Sequence, residues 1–464
     1  MLYYWTVKEM IGLIETATTR AKVRQFLFIL IPILVTQIAM FSMTFFDTIM
    51  SGHYSADDLA GVAVGSSLWM PVYTGLSGIL LSITPIVGHL MGSSRREEAS
   101  FSVMQGIYVA LIISALTYAL GFVLLEPVLG LMNLTDNVRR IAYEYVIGLS
   151  FGILPLFLTA VLRGFIDALG MTRTSMIITV MTLPVNVAFN FLLIYGKFGF
   201  PELGGVGSGY ASAISYWLIF LLAVWIVWRK EPFSAFRLFA RFPRASLAKW
   251  KEILLLGLPI GLSIFFETSI FSAVTLLMSE YSTNVIAAHQ AALNFASLTY
   301  MIPLSISMAL TIVIGFEAGA GRYHDARRYS VIGITTAVGI AALGTVIIFT
   351  FRDAIAHLYS TDSEVLKLTA SFLLYAALFQ LSDAVQAPVQ GALRGYKDVN
   401  VTFMMTMISY WVIGLPLGWA LARWTDWGAY GYWIGLITGL TCGAITLSVR
   451  LRMVQRQKTS RQAT

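Results

Sequence analysis

The chain is poor in charge. Of its 464 residues only 12% are Asp, Glu, Lys or Arg, where a soluble protein carries about a quarter. It has a single cysteine, Cys442, inside the last apolar run, so a disulfide framework is excluded and thiolate metal chemistry has no basis. There is no Gly-x-x-x-x-Gly-Lys-Ser/Thr loop and no polar stretch long enough for a nucleotide-binding domain, which excludes ATP hydrolysis by that route. No cleavable leader is evident. The first apolar run starts near Phe26 behind a charged arm and reads as a retained helix. Ten-residue alternating segments are also missing, which argues against a membrane barrel.

What is present is hydrophobic sequence, 57% of the chain. It falls into runs of about 20 residues or more, enough to cross roughly 30 Å of hydrocarbon. Twelve helices are expected, at 26–49, 60–90, 102–125, 142–163, 172–195, 207–228, 253–278, 284–316, 330–350, 366–391, 402–421 and 430–450. The expected fold is an all-α polytopic membrane protein of two six-helix bundles. Its parts are a cytoplasmic arm 1–25, a first lobe 26–228, a linker 229–251, a second lobe 252–452 and a tail 453–464. With both termini in the cytoplasm, 25 of the 31 Lys and Arg residues fall on that side. Arg163, Arg394 and the seven bases of the linker region are among them. Only Arg139, Arg140, Lys197, Arg352, Lys367 and Arg423 fall outside. This is the positive-inside asymmetry. It accounts for the net charge of +7 through anionic lipid, and no nucleic-acid partner is called for.

The two halves repeat. An offset of 227 residues lays Pro32–Ile33 on Pro259–Ile260 and Tyr54–Ser55 on Tyr281–Ser282. It also lays Thr84, Gly88, Gly92, Arg95 and Ala99 on Thr311, Gly315, Gly319, Arg322 and Ala326. Six helices per copy is an even number, so the copies share one orientation, as in parallel-repeat transporters.

Three acids stand inside apolar helices: Asp47, Glu267 and Asp383. A carboxylate at mid-bilayer costs on the order of 3 kcal/mol or more, so such a residue marks an ion path, a cavity or a partner. No Lys or Arg is expected within the core of these helices to pair with them. Asn186 and Asn190 lie one turn apart on helix 5 and share a face. Amide oxygens beside a carboxylate suit a hard monovalent cation, and Pro184 frees the Val180 carbonyl as a further oxygen. The alternative is two asparagines packing helices together. Trp69, Met70, Tyr73, Phe265, Phe266, Phe295 and Tyr300 are candidates to line an apolar cavity, although most aromatics in such a chain face lipid or pack helices. His289, Gln290 and Asn294 are expected to be buried, with interhelical hydrogen bonding as their simplest role. The Gly-x-x-x-Gly runs at Gly88, Gly315 and Gly435 are packing signals.

These residues resemble the multidrug and toxic compound extrusion (MATE) transporters, NorM branch. The resemblance rests on Phe46-Asp47-Thr48-Ile49-Met50-Ser51-Gly52, Leu258-Pro259 with Phe265-Phe266-Glu267, and Ala287-Ala288-His289-Gln290-x-Ala292-Leu293-Asn294-Phe295. Pro201-Glu202-Leu203-Gly204-Gly205-Val206-Gly207 and Leu393-Arg394-Gly395-Tyr396-Lys397-Asp398 add to it. It covers nearly the whole chain. It implies a V-shaped pair of bundles in a bacterial plasma membrane, a transporter and not an enzyme, that exports organic cations and drugs against H⁺ and/or Na⁺ without a cofactor. It implies a cation site of Asp47, Asn186 and Asn190 in the first lobe and one of Glu267 and Asp383 in the second. Asp47, Glu267 and Asp383 are then the candidate Na⁺ ligands. Phe265, Phe266, Gln290, Asn294 and Phe295 are the candidate drug contacts, and a monomer among membrane lipid is expected. Some relatives carry a tyrosine four residues before the helix 10 acid; Phe379 stands there in this chain, so that hydroxyl is missing. Two other readings are a major facilitator drug/proton antiporter and a lipid-linked saccharide flippase.

The orientation is testable by labelling. In a Cys442→Ser background, cysteine placed at Ser460 should react with a membrane-impermeant maleimide only after cells are opened, and cysteine at Lys197 should react in intact cells. The reverse pattern would invert the topology.

Overall fold

The computed structural model describes residues 13, 15–132, 134–240, 242–360 and 362–463. Most of the N-terminal arm, with Lys8, lies outside the described residues, as does Arg241. Among the described residues there are helices and no strands. That follows from the solvent: in hydrocarbon each backbone N–H and C=O must be bonded within its own segment, and a helix does so. The spans are α1 (Thr19–Tyr54), α2 (Ala56–Gly92), α3 (Arg96–Gly130), α5 (Thr172–Tyr195) and α6 (Val206–Arg229), followed by α7 (Leu247–Met278), α8 (Thr283–Gly319), α9 (Tyr323–Ala356), α10 (Ser363–Gly395), α11 (Asn400–Trp424) and α12 (Ala429–Ala463). The fourth, α4, is the pair Asp136–Ser150 and Ile153–Ala168, bent by 48°. Among the described residues eleven helices are long and apolar enough to cross a membrane by themselves, and α4 makes a twelfth if the bent pair is one span.

The helices reach further than the apolar runs. Arg394, expected in a loop, belongs to α10, and Arg163, expected at the last position of helix 4, is followed by five more helical residues of α4, up to Ala168. Arg163 lies 3.4 Å from Asp167 and donates to Gln37 Oε1 over 3.2 Å. Lys22 is fully buried near the start of α1, 3.2 Å from Asp325.

Contacts divide the chain into two units, one containing Ile31–Gly261 and the other Thr16–Leu30 with Leu262–Thr464. The division does not fall in the linker. It cuts α1 after Leu30 and α7 after Gly261. Pro32 and Pro259, 227 residues apart, lie close to the two cuts, and each removes one helical hydrogen bond there. In the first unit the linker is pinned to α3: Ser100, Tyr108 and Gln105 donate to the carbonyls of Phe236, Pro243 and Arg244 over 2.9–3.0 Å.

The repeat survives in the side chains. In the first unit Asn137 Nδ2 donates to Asp57 Oδ2 over 2.7 Å, joining the starts of α4 and α2. In the second, Asn284 Nδ2 donates to Glu364 Oε2 over 2.6 Å, joining the starts of α8 and α10. Each pair falls on the other under the 227 offset, with the amide and the carboxylate exchanged.

Within the second unit α10 packs against α8, α9 and α12 and is buried almost without interruption from Asp383 to Gly395. Close approach to α8 requires glycine at 391, where a Cβ would stand 2.1 Å from the Ser307 carbonyl oxygen. Gly391→Val should therefore destabilise the protein by about 1–3 kcal/mol, seen as a lower melting temperature of the purified chain. Gly339→Ala, whose Cβ meets nothing within 4 Å, should leave the melting temperature unchanged or raise it. Equal behaviour of the two variants would contradict this packing.

Candidate functional site

In the first unit four residues from three helices converge. Asp47 of α1 is buried, as are Asn186 and Asn190 of α5 and Ser212 of α6. Ser212 Oγ donates to Asp47 Oδ2 over 2.7 Å, and Asn190 Nδ2 to Asp47 Oδ1 over 2.6 Å. Asn186 Nδ2 lies 3.5 Å from Oδ1, and Asn190 Nδ2 also reaches Asn186 Oδ1 at 3.2 Å. The one-turn spacing of the two asparagines places both on the same face. Among the described residues, the groups that hydrogen-bond the carboxylate are all neutral. Hydrogen bonds from neutral donors offset part of the cost of burying an anion, and a base would offset more. Asn190 Oδ1 is buried with no hydrogen-bond partner, an acceptor left open beside a carboxylate. Carboxylate, amide and hydroxyl oxygens in one cage form a donor set for a hard monovalent cation or a proton. Among the described residues no three His, Cys, Asp or Glu side chains come together, so a cation here takes amide or hydroxyl oxygens as well. The sequence reading had brought together Asp47, Asn186 and Asn190. It missed Ser212, which looks like one more small packing residue beside Ser208 and Ser215 on the same helix.

The second unit holds a different arrangement. Glu267 of α7 and Asp383 of α10 are both buried, 8% and 3% exposed, and act on one another electrostatically. Gln390 of α10, Tyr300 of α8 and Tyr410 of α11 direct hydrogen-bonding groups at the Glu267 carboxyl. Asp383 carries no hydrogen bond or ion pair among the described residues. The expectation that no base lies in the core of these helices is corrected here. Arg394 is 9% exposed on α10, donates to Gln390 Oε1 over 3.3 Å, and acts on Glu267 through space. The error came from ending helix 10 where its apolar run ends. Protein, rather than lipid, covers the last turn, so polar residues continue inside it. Asp383, Gln386, Gln390 and Arg394 are spaced three and four residues apart and lie on one face; that spacing was the available signal. Phe379 packs edge-on against Phe271 and Trp433, ring centroids 5.7 and 6.4 Å away.

The expected drug contacts scatter. Phe265 is 37% exposed. Phe266 packs on Trp411 with ring centroids 5.9 Å apart. Phe295 packs against a buried cluster of α9 and α10 that includes Ile348, Leu373 and Ala377. Gln290 and Asn294 were expected to be buried, and both are exposed. Only His289 is buried, accepting from Trp433 Nε1 over 3.0 Å and facing Thr275 Oγ1 at 3.3 Å. One residue along a helix turns the side chain by about 100°, which separates Gln290 from His289; Asn294 follows Gln290 one turn later.

The MatE family model matches residues 32–192 and 259–420, once in each half. The chain is 55% identical over 445 residues to the Probable multidrug resistance protein NorM of Bacillus cereus, covering 96% of this chain and 98% of that one. It is 53% identical over 448 residues to the protein of the same name from Bacillus subtilis, covering 97% and 99%. Among solved structures, the eukaryotic MATE transporter AtDTX14 aligns at a TM-score of 0.83 with 20% identity, over 96% of this chain and 99% of that one. A multidrug resistance MATE family transporter in the outward-facing conformation aligns at 0.85 with 18% identity, over 96% and 99%. At those identities the structures speak for the fold; the family model and the full-length relatives speak for descent, and by them the chain belongs to the MATE family, in its NorM branch.

Proposed function

We propose that this protein is a multidrug efflux antiporter of the bacterial plasma membrane that exports cationic or zwitterionic aromatic compounds in exchange for H⁺, with Na⁺ as an auxiliary coupling ion. The relatives' name, multidrug resistance protein, supports the transport class. The observation that carries the ion coupling is Asp47: a buried carboxylate in a cage of neutral oxygen and amide donors, with no base among the groups that contact it. In that setting the carboxylate takes its counter-charge from an exchangeable cation. Glu267 and Asp383 form the second candidate site, with the base Arg394 on one side only.

An ionised acid attracts a cationic drug, and loading it with a proton or Na⁺ removes the attraction. Ion and drug then oppose each other's binding by the same factor, as linkage requires. An inward ion gradient supplies the work, about 2.3 kcal/mol for each charge moved through 100 mV. Phe379 removes one hydroxyl from the second site, while the Asp47 cage has its full set of donors; this favours the proton over an obligatory Na⁺.

Asp47→Asn, Glu267→Gln and Asp383→Asn should each reduce gradient-driven efflux of a fluorescent cation by tenfold or more, on the order of the loss expected when a charged hydrogen-bonded group is neutralised, with expression near wild type. Ser212→Ala removes one neutral donor and should weaken coupling by only about three- to tenfold. Efflux measured with pH and Na⁺ gradients imposed separately should proceed on the pH gradient alone. Wild-type efflux in all three acid variants would end the coupling assignment, and absence of efflux in Na⁺-free buffer would reverse the choice of ion. Binding of a cationic dye should weaken as pH falls and the acids load with protons; tighter binding of anionic amphiphiles than of cationic ones of the same size would overturn the substrate class.

A further inference from the structure

Helix α11 is irregular at one place. Residues Ile408–Gly414 form a π-helical turn, closed by a bond from the Leu415 N–H to the Tyr410 carbonyl. A π turn holds one residue more than an α turn and re-aims the side chains it carries. Close packing against α12 accommodates it. A Cβ at Gly435 would stand 2.5 Å from the Gly414 carbonyl oxygen, and one at Gly439 would stand 2.8 Å from the Ser409 carbonyl oxygen.

Two consecutive residues of this turn face two consecutive residues of α7. Trp411 Nε1 donates to the Phe266 carbonyl over 3.1 Å. Tyr410, 1% exposed, brings its hydroxyl near enough to act on the Glu267 carboxyl. The direction of that hydroxyl follows from its other partner. Gln386 Nε2 donates to the Tyr410 oxygen over 2.7 Å, so the phenolic proton is left to be given elsewhere. Glu267, the residue after the Phe266 whose carbonyl Trp411 bonds, is the carboxylate within its influence. The other charged and titratable groups around that carboxylate are Asp383 and Arg394 of α10 and Tyr300 of α8.

The repeat gives the turn a counterpart. The two MatE segments begin 227 residues apart, at 32 and 259, and end 228 apart, at 192 and 420. In that register Pro184 of α5 falls on Trp411 or Val412, inside the π turn. Both helices therefore break their regular hydrogen bonding at the same point. In α5 the break precedes Asn186 and Asn190, which hold Asp47.

We propose that the π-helical turn of α11 is the second half's equivalent of the Pro184 break, and that it presents Tyr410 as the positioning residue of the second cation site, its hydroxyl orienting the Glu267 carboxylate for the coupling cation. This rests on the reading of Glu267 and Asp383 as a cation site. Phe379 supplies no hydroxyl to that site, and Tyr410 supplies one from a different helix.

The test uses purified full-length protein. Its melting temperature is followed as NaCl replaces choline chloride at fixed pH, and as pH is lowered in Na⁺-free buffer. Tyr410→Phe, which removes the hydroxyl alone, should shift the half-maximal ion concentration of the stabilisation by on the order of tenfold. The shift should vanish when Glu267→Gln is already present and persist in an Asp47→Asn background, an interaction that loss of packing alone would not produce. Gln386→Leu, which removes the brace behind the hydroxyl, should shift the midpoint the same way and serves if Tyr410→Phe fails to fold. Identical midpoints in wild type, Tyr410→Phe and Gln386→Leu would overturn the role of Tyr410. No response of the wild type to either ion would instead overturn the cation site beneath it.

Discussion

A carboxylate buried among neutral donors governs the first half of this protein. Asp47 has Ser212 and Asn190 at hydrogen-bond distance, Asn186 just beyond, and no base among its contacts. Two neutral hydrogen bonds and one longer amide contact do not cancel the cost of keeping an anion out of water. In the proposed coupling a cation or a proton supplies the counter-charge that these donors do not. Under that proposal, occupancy of the site, and with it the charge seen by a drug, follows the ion concentration on the side to which it opens.

The second half meets the same cost by other means. Glu267 has Arg394 in electrostatic reach and three hydrogen-bonding neighbours, while Asp383 has only the neighbouring carboxyl. Two copies of one six-helix unit have thus diverged at their centres while keeping the frame. The frame is visible in the Asn137–Asp57 and Asn284–Glu364 pairs, which exchange amide for carboxylate across the repeat. It is visible again in Pro184 and the π turn, two different ways of interrupting a helix beside an acid. Duplication supplies the scaffold, and drift in a few polar residues makes the two sites unequal.

Much of this could be read from the residues. An acid within an apolar run is conspicuous because lipid tolerates so few, and two asparagines one turn apart declare a shared face. What escaped had specific causes. Ser212 is small, and nothing in its type separates a ligand from a packing residue. Arg394 sits beyond the apolar run of helix 10, where a base reads as a topology signal; only the packing of α8, α9 and α12 around that helix shows it to be interior. Gln290 and Asn294 were judged by their neighbour His289, although adjacent residues on a helix point in different directions. The π turn leaves no composition signature at all, because one extra residue per turn changes bonding without requiring a particular side chain.

The central claim is that exchangeable cations and cationic drugs oppose each other through Asp47. The most direct measurement is the ion released when tetraphenylphosphonium is added to purified protein in weakly buffered medium, read by a pH indicator and by a Na⁺-sensitive electrode. The account predicts proton release by the wild type that falls in Asp47→Asn by up to about one proton per protein. Saturating drug binding with no release of either ion, or with release unchanged in Asp47→Asn, would contradict it.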